Sequence, residues 1–265
     1  MTDSNVLVAF TLTLIAGLST GIGSLIALVA NRTNRKFLCF SLGLSAGVMI
    51  YVSFMEMLPT GKEELVSAFG DRIGVFYLLL AFLGGMGLIT LIDFLVPKSG
   101  NPHEIHGVEE MDVKDPLHRV GFVVALSIAI HNFPEGIATF TSALNSIDIA
   151  IPITLAIAIH NIPEGIAVSV PVYHATGSRK KAFGYSFLSG LAEPLGALIA
   201  YLFLMPFWTP EVNGLILSAV SGIMVFISLD ELLPSAEKYG EHHISIAGLV
   251  TGMGVMGFSL FLFAG

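Results

Sequence analysis

Apolar stretches of about 20 residues, the length at which an α-helix crosses a bilayer, recur from one end of this chain to the other. The short segments between them hold nearly all of its charge. Only 12% of the 265 residues are charged and 54% are hydrophobic, against about 25% charged in an ordinary soluble domain. Mean hydropathy is +0.82. The expected fold is therefore an all-α polytopic membrane protein of eight transmembrane helices, over about residues 6–30, 37–58, 73–96, 120–144, 149–173, 182–207, 212–233 and 244–263. The whole of 1–265 reads as one transmembrane domain, with its longest loop, about 97–117, after the third span.

The net charge of -8 leaves no basic face to neutralise phosphates, so nucleic acid is excluded as a partner. The lone Cys39 lies in an apolar segment and reads as a small packed hydrophobe. Before the first apolar run stands Asp3 and no Lys or Arg, so that run is expected to stay as a membrane helix. With the amino terminus outside, ten of the 12 Lys and Arg fall on inner loops, leaving Lys62 and Arg72 outside. The positive-inside rule thus predicts a plasma (cell inner) membrane protein with both termini away from the cytoplasm.

Set inside these spans are two copies of one phrase. Leu126-Ser-Ile-Ala-Ile-His131-Asn132-Phe-Pro-Glu135-Gly matches Leu155-Ala-Ile-Ala-Ile-His160-Asn161-Ile-Pro-Glu164-Gly almost position for position. A second repeat lies farther apart: Gly47-Val-Met-Ile-Tyr-Val-Ser-Phe-Met-Glu56-Met-Leu-Pro59 aligns with Gly222-Ile-Met-Val-Phe-Ile-Ser-Leu-Asp230-Glu231-Leu-Leu-Pro234. An odd number of crossings separates the copies in both cases, so both repeats are inverted, with helices 1–3 set against 6–8 and helices 4 and 5 as a central pair. Transporters use that design, with the site at mid-depth.

In each copy His and Glu are four apart and share one helix face. The Pro removes the hydrogen bond that would reach Ile130 or Ile159, so a kink and a released carbonyl are expected. His131, His160 and Glu193, the last in Gly190-Leu-Ala-Glu-Pro of span six, each stand 12 residues beyond the nearest preceding charge. That places all three about 18 Å into a core roughly 30 Å thick. Carboxylates crowded in low dielectric cannot all stay ionised without cations. Imidazole, carboxylate and amide oxygen without thiolate suit first-row divalent ions, and two Glu able to bridge suggest two metals. A single buried His or Asn is usually a hydrogen-bonded core residue; a duplicated motif meeting a third carboxylate argues for more.

These motifs resemble the ZIP (Zrt/Irt-like) family of divalent metal transporters, in its bacterial branch, over essentially all eight spans. The resemblance implies that His131, Glu135, His160 and Glu164 form the primary metal site, with Asn132, Asn161 and Glu193 completing an adjoining one bridged by both Glu. It also implies that spans one, four, five and six move as a unit against spans two, three, seven and eight. The expected activity is import of zinc, and also of iron, manganese, cobalt or cadmium, with metal as transported substrate and no cofactor. Uptake is expected to fall at low pH, since protonated His and Glu cannot bind a cation.

Other polar residues read more weakly. Glu56, Asp230 and Glu231 are auxiliary candidates at the two mouths, or else helix caps. His103 and His106, with Glu109, Glu110, Asp112 and His118, lie on the inner loop as a metal-receiving segment or a solvated acidic stretch. The expected partners are divalent metal ions, the bilayer and a second copy of the chain as a homodimer. Two rivals use the same residues: an intramembrane metalloenzyme, although His-Glu-x-x-His is absent, and a metal-selective channel.

Overall fold

The computed structural model describes residues 3–29, 35–95, 117–145, 147–238 and 242–263, and these are helices and short joints with no strand among them. In chain order they are α1 (Asp3–Val29), α2 (Arg35–Val52), α3 (Leu58–Phe69), α4 (Asp71–Leu95), α5 (Leu117–Asn145) and α6 (Ile147–Thr176). Then come α7 (Arg179–Gly190), α8 (Ala192–Ile199), α9 (Pro210–Ile227), α10 (Leu233–Lys238) and α11 (His242–Phe263). Among the described residues six runs are long and apolar enough to cross a membrane: Asn5–Ile26, Lys36–Phe69, Asp71–Ile92, Arg179–Phe207, Pro210–Glu237 and His242–Leu262. The two helices that carry the paired motifs, α5 and α6, are 29 and 30 residues long.

Surface and interior exchange their usual contents. Large apolar side chains point outward, Phe76, Leu83 and Leu91 on α4 and Phe261 on α11 among them, while Thr13, Ser53, Thr139, Ser218 and Ser221 are buried. Lipid rewards the first. Four of these five hydroxyls are answered within their own helices: Thr13 donates to the Ala9 carbonyl, Thr139 to Glu135, Ser218 to Gly214 and Ser221 to Leu217, at 2.9, 2.9, 2.7 and 2.8 Å.

Proline sets the irregularities. Among the described residues, three five-residue π turns, Ser53–Met57, Ala200–Leu204 and Ser228–Leu232, each end two residues before a Pro, namely Pro59, Pro206 and Pro234. The ring cannot donate to the carbonyl four residues back and collides with it, and a wider turn relieves both problems. Two of these turns fall on corresponding residues of the long repeat, so the repeat extends to backbone geometry.

The structure departs from the sequence reading in three places. The polar segment expected after span two is helix α3, because Pro59 starts it well and Leu65 and Gly61 turn inward while Lys62 and Glu63 face out. Gly70, at φ 79°, makes the single-residue joint to α4. Span six is broken at Leu191, just before Glu193, where Pro194 cannot bond to the Gly190 carbonyl. Pro134, by contrast, sits inside an α5 that continues on both sides.

The helices pack as two groups. In one, α1 lies along α6 and α5 along α6 and α8, with α7 against α1, α5 and α6; in the other, α2 lies along α11, and α9 along α3 and α4. The seam between them is formed chiefly by α6 on α2, with smaller contacts of α5 on α9 and α6 on α11. Glycines set the closest approaches within each group. A Cβ on Gly43 or Gly47 of α2 would run into the Ser245 or Leu249 carbonyl of α11, and one on Gly248 or Gly252 of α11 into Phe40 or Leu44 of α2. Gly47→Ala should therefore cost about 1–3 kcal/mol by overpacking and lower the thermal midpoint of the detergent-solubilised protein. Gly84→Ala, where nothing lies within 4 Å, should not.

Candidate metal centre

The centre is assembled where α5, α6 and α8 meet. Glu135, His160, Glu164 and Glu193 are each no more than 1% exposed, and Asn132 and Asn161 are fully buried. The four-residue spacing on α6 sets His160 Nε2 4.0 Å from Glu164 Oε1. From α5, Glu135 Oε2 comes within 3.2 Å of the same nitrogen. His160 Nδ1 lies 3.1 Å from the Ala156 carbonyl, which can only accept. Nδ1 therefore carries a hydrogen, and Nε2 is the nitrogen turned toward the two carboxylates, the arrangement that orients a ligating imidazole.

The asparagines are fixed by their nitrogens. Asn132 Nδ2 donates to the Ser189 carbonyl of α7 at 3.3 Å, and Asn161 Nδ2 to the Ala16 carbonyl of α1 at 3.0 Å. Asn161 Nδ2 also reaches Glu193 Oε1 in a short contact. Both amide oxygens are buried with no hydrogen-bond partner, and a buried acceptor left so costs about 1–3 kcal/mol. Two oxygen donors thus wait where a cation would answer them.

The glycine closing each motif explains how the helices come so close. A Cβ on Gly136 would strike the Glu193 carbonyl, and one on Gly196 the Phe133 carbonyl. At the second motif, Gly165 meets the Thr20 carbonyl of α1 and Gly23 meets the Ile162 carbonyl. Equivalent residues of the two motifs therefore dock in the same manner, once on α8 and once on α1.

Glu135, His160 and Glu164 are brought together, and Glu193 joins them through Asn161. Among the described residues no three His, Cys, Asp or Glu side chains are arranged around one point as metal ligands; the donors bond to one another instead. His131 is on α5, but its side chain, like those of His118, His174 and Asp93, lies outside the described residues, as do His103, His106, Glu109, Glu110 and Asp112 altogether. Glu56 sits half-buried in the first π turn, while Asp230, exposed, and Glu231, buried, sit in the turn at residues 228–232, all on the opposite helix group.

Two features escaped the sequence reading. Ser45 of α2 reaches the cluster from across the seam, with Oγ 3.4 Å from Glu164 Oε1; it lies two residues before the long repeat begins, so the alignment gave no reason to mark it. The other is a cavity of about 540 Å³ between α3 and α9 on one side and α5 and α6 on the other, lined by Glu63, Glu64, Glu211 and Ser142. Its Glu64 is held by Asn213 Nδ2, 2.8 Å from each carboxylate oxygen.

A family model described as ZIP Zinc transporter matches residues 94–260. A zinc transporter ZupT of Streptococcus mutans is 62% identical over 96% of this chain and 97% of its own length. One of Clostridium perfringens is 58% identical over 98% and 97%, and one of Nitratidesulfovibrio vulgaris 55% over 98% and 99%. With buried donors among long apolar helices and relatives matched nearly end to end, the chain is an integral membrane protein that belongs to the ZIP family of zinc transporters, a family of transporters rather than enzymes.

Proposed function

We propose that the chain imports divalent metal into the cytoplasm through a mid-membrane site, with zinc as the foremost cargo and iron, manganese, cobalt and cadmium as others. The name zinc transporter borne by its relatives supports the cargo. The observation that carries the proposal is the meeting of Glu135, Glu164 and His160 Nε2 in a buried core. A divalent ion seated between His160 Nε2 and the carboxylates of Glu135 and Glu164 exchanges its water for imidazole and carboxylate. In this reading His131, Glu135, His160 and Glu164 hold one ion, and Asn132, Asn161 and Glu193 a second bridged by the two Glu. Such donors bind first-row ions without strong choice among them.

The route is alternating access by an elevator-like slide of α1 and α5–α8 against α2–α4 and α9–α11. The packing into two groups with a narrow seam supports it. So does the matched docking of the two motifs, in which Ala16, Gly17, Thr20 and Gly23 of α1 stand to Ser189, Gly190, Glu193 and Gly196 at one constant offset. That correspondence favours the eight-helix inverted repeat. Under it, α6 on α2 is one resting contact and α5 on α9 its mirror, so the unequal seam suits one end of a two-state cycle. A fixed channel needs no such seam. The acidic cavity is the approach from outside, and Glu56, Asp230 and Glu231 attend the two mouths.

Glu135→Ala and Glu164→Ala should each reduce radiotracer zinc uptake into proteoliposomes to background while leaving the protein folded and monodisperse; normal transport by either refutes the site. Reporter fusions should place both termini outside the cytoplasm, and an inner terminus would reverse the direction assigned to every helix.

A further inference from the structure

One polar contact to the centre comes from the wrong side of the seam. Ser45 is fully buried on α2, and its Oγ lies 3.4 Å from Glu164 Oε1 and 3.4 Å from the His160 carbonyl, both on α6. Both oxygens only accept, so the hydroxyl hydrogen is shared between them, and a shared hydrogen makes both contacts long. The position that corresponds to Ser45 in the long repeat is Val220 of α9, also buried and with nothing to donate. The two walls against which the moving group can rest are therefore chemically unequal.

We propose that Ser45 is a positioning residue for Glu164: it orients the carboxylate toward the cation without touching the ion. It does so only while α6 lies against α2. Partners that orient a ligating carboxylate typically account for about 10–100-fold in metal affinity. Because this partner belongs to the opposite helix group, the slide that carries α6 away from α2 withdraws it, and the site's affinity drops with the movement. A carrier needs such a difference, since an ion held equally well at both ends of the cycle is not released. The inference rests on the reading of Glu164 as a ligand.

The test is equilibrium titration of purified full-length protein in detergent with Zn²⁺ alone, together with zinc uptake in proteoliposomes. Ser45→Ala should raise the Kd about 10-fold, at the lower end of the range for such partners because the contact is long. KM for uptake should rise in step while the maximal rate is kept, and the thermal midpoint of the metal-free protein should stay unchanged. Val220→Ala, on the other wall, should leave the Kd where it is. An unchanged or tighter Kd for Ser45→Ala, or a lower maximal rate at constant KM, overturns the proposal. Glu164→Ala separates the two layers: if it binds Zn²⁺ as the unaltered protein does, the metal site itself is wrong, whereas its failure to bind alongside a normal Ser45→Ala condemns only the role of Ser45.

Discussion

A carboxylate carried into hydrocarbon must be answered by a cation or by hydrogen-bond donors, or it costs several kcal/mol. This molecule buries three of them together. The rest of the interior is arranged around that constraint: His160 turns one nitrogen to a backbone carbonyl so that the other faces Glu135, and both asparagines spend their nitrogens on α1 and α7. What remains toward the centre is mostly oxygen, with one imidazole nitrogen, and its remaining donors are Asn161 Nδ2 on Glu193 and Ser45 Oγ on Glu164. Close backbone contact at Gly17, Gly23, Gly136, Gly165, Gly190 and Gly196 packs the helices tightly around the centre.

The buried donors lie within one of the two packed groups of helices. Contacts within each group are extensive, while the seam is narrow and rests mainly on α6 and α2. Proline adds shape to this division. Pro59 and Pro234 widen the backbone at matching points in the group of α2–α4 and α9–α11, and Pro194 breaks its span in the other group next to Glu193. In each case one missing N–H is converted into a local change of direction.

The two motifs dock alike, one on α8 and one on α1, and the residues that receive them differ in chemistry. Glu193 on α8 corresponds in its docking to Thr20 on α1, a carboxylate in one place and a hydroxyl in the other. Ser45 and Val220 differ in the same way across the seam. These differences are modest in volume and large in hydrogen-bonding capacity.

Hydropathy and the four-residue spacing of His and Glu are local properties, readable along one dimension. The long apolar helices, the burial of Glu135, His160 and Glu164, and the place of Glu193 within span six were accordingly legible in the residue order. Helix α3 was not, because its charged face hides an inward row of Gly61 and Leu65 that has meaning only against α9. The grouping of the helices was available only through family resemblance, since it depends on which glycines meet which carbonyls. Ser45 shows the limit most plainly. A serine in an apolar helix ordinarily bonds to its own backbone, and only the packing of α2 on α6 turns this one toward a carboxylate more than a hundred residues away in sequence. Residue order settled what is carried into the membrane, and tertiary contact settled which of those groups face one another.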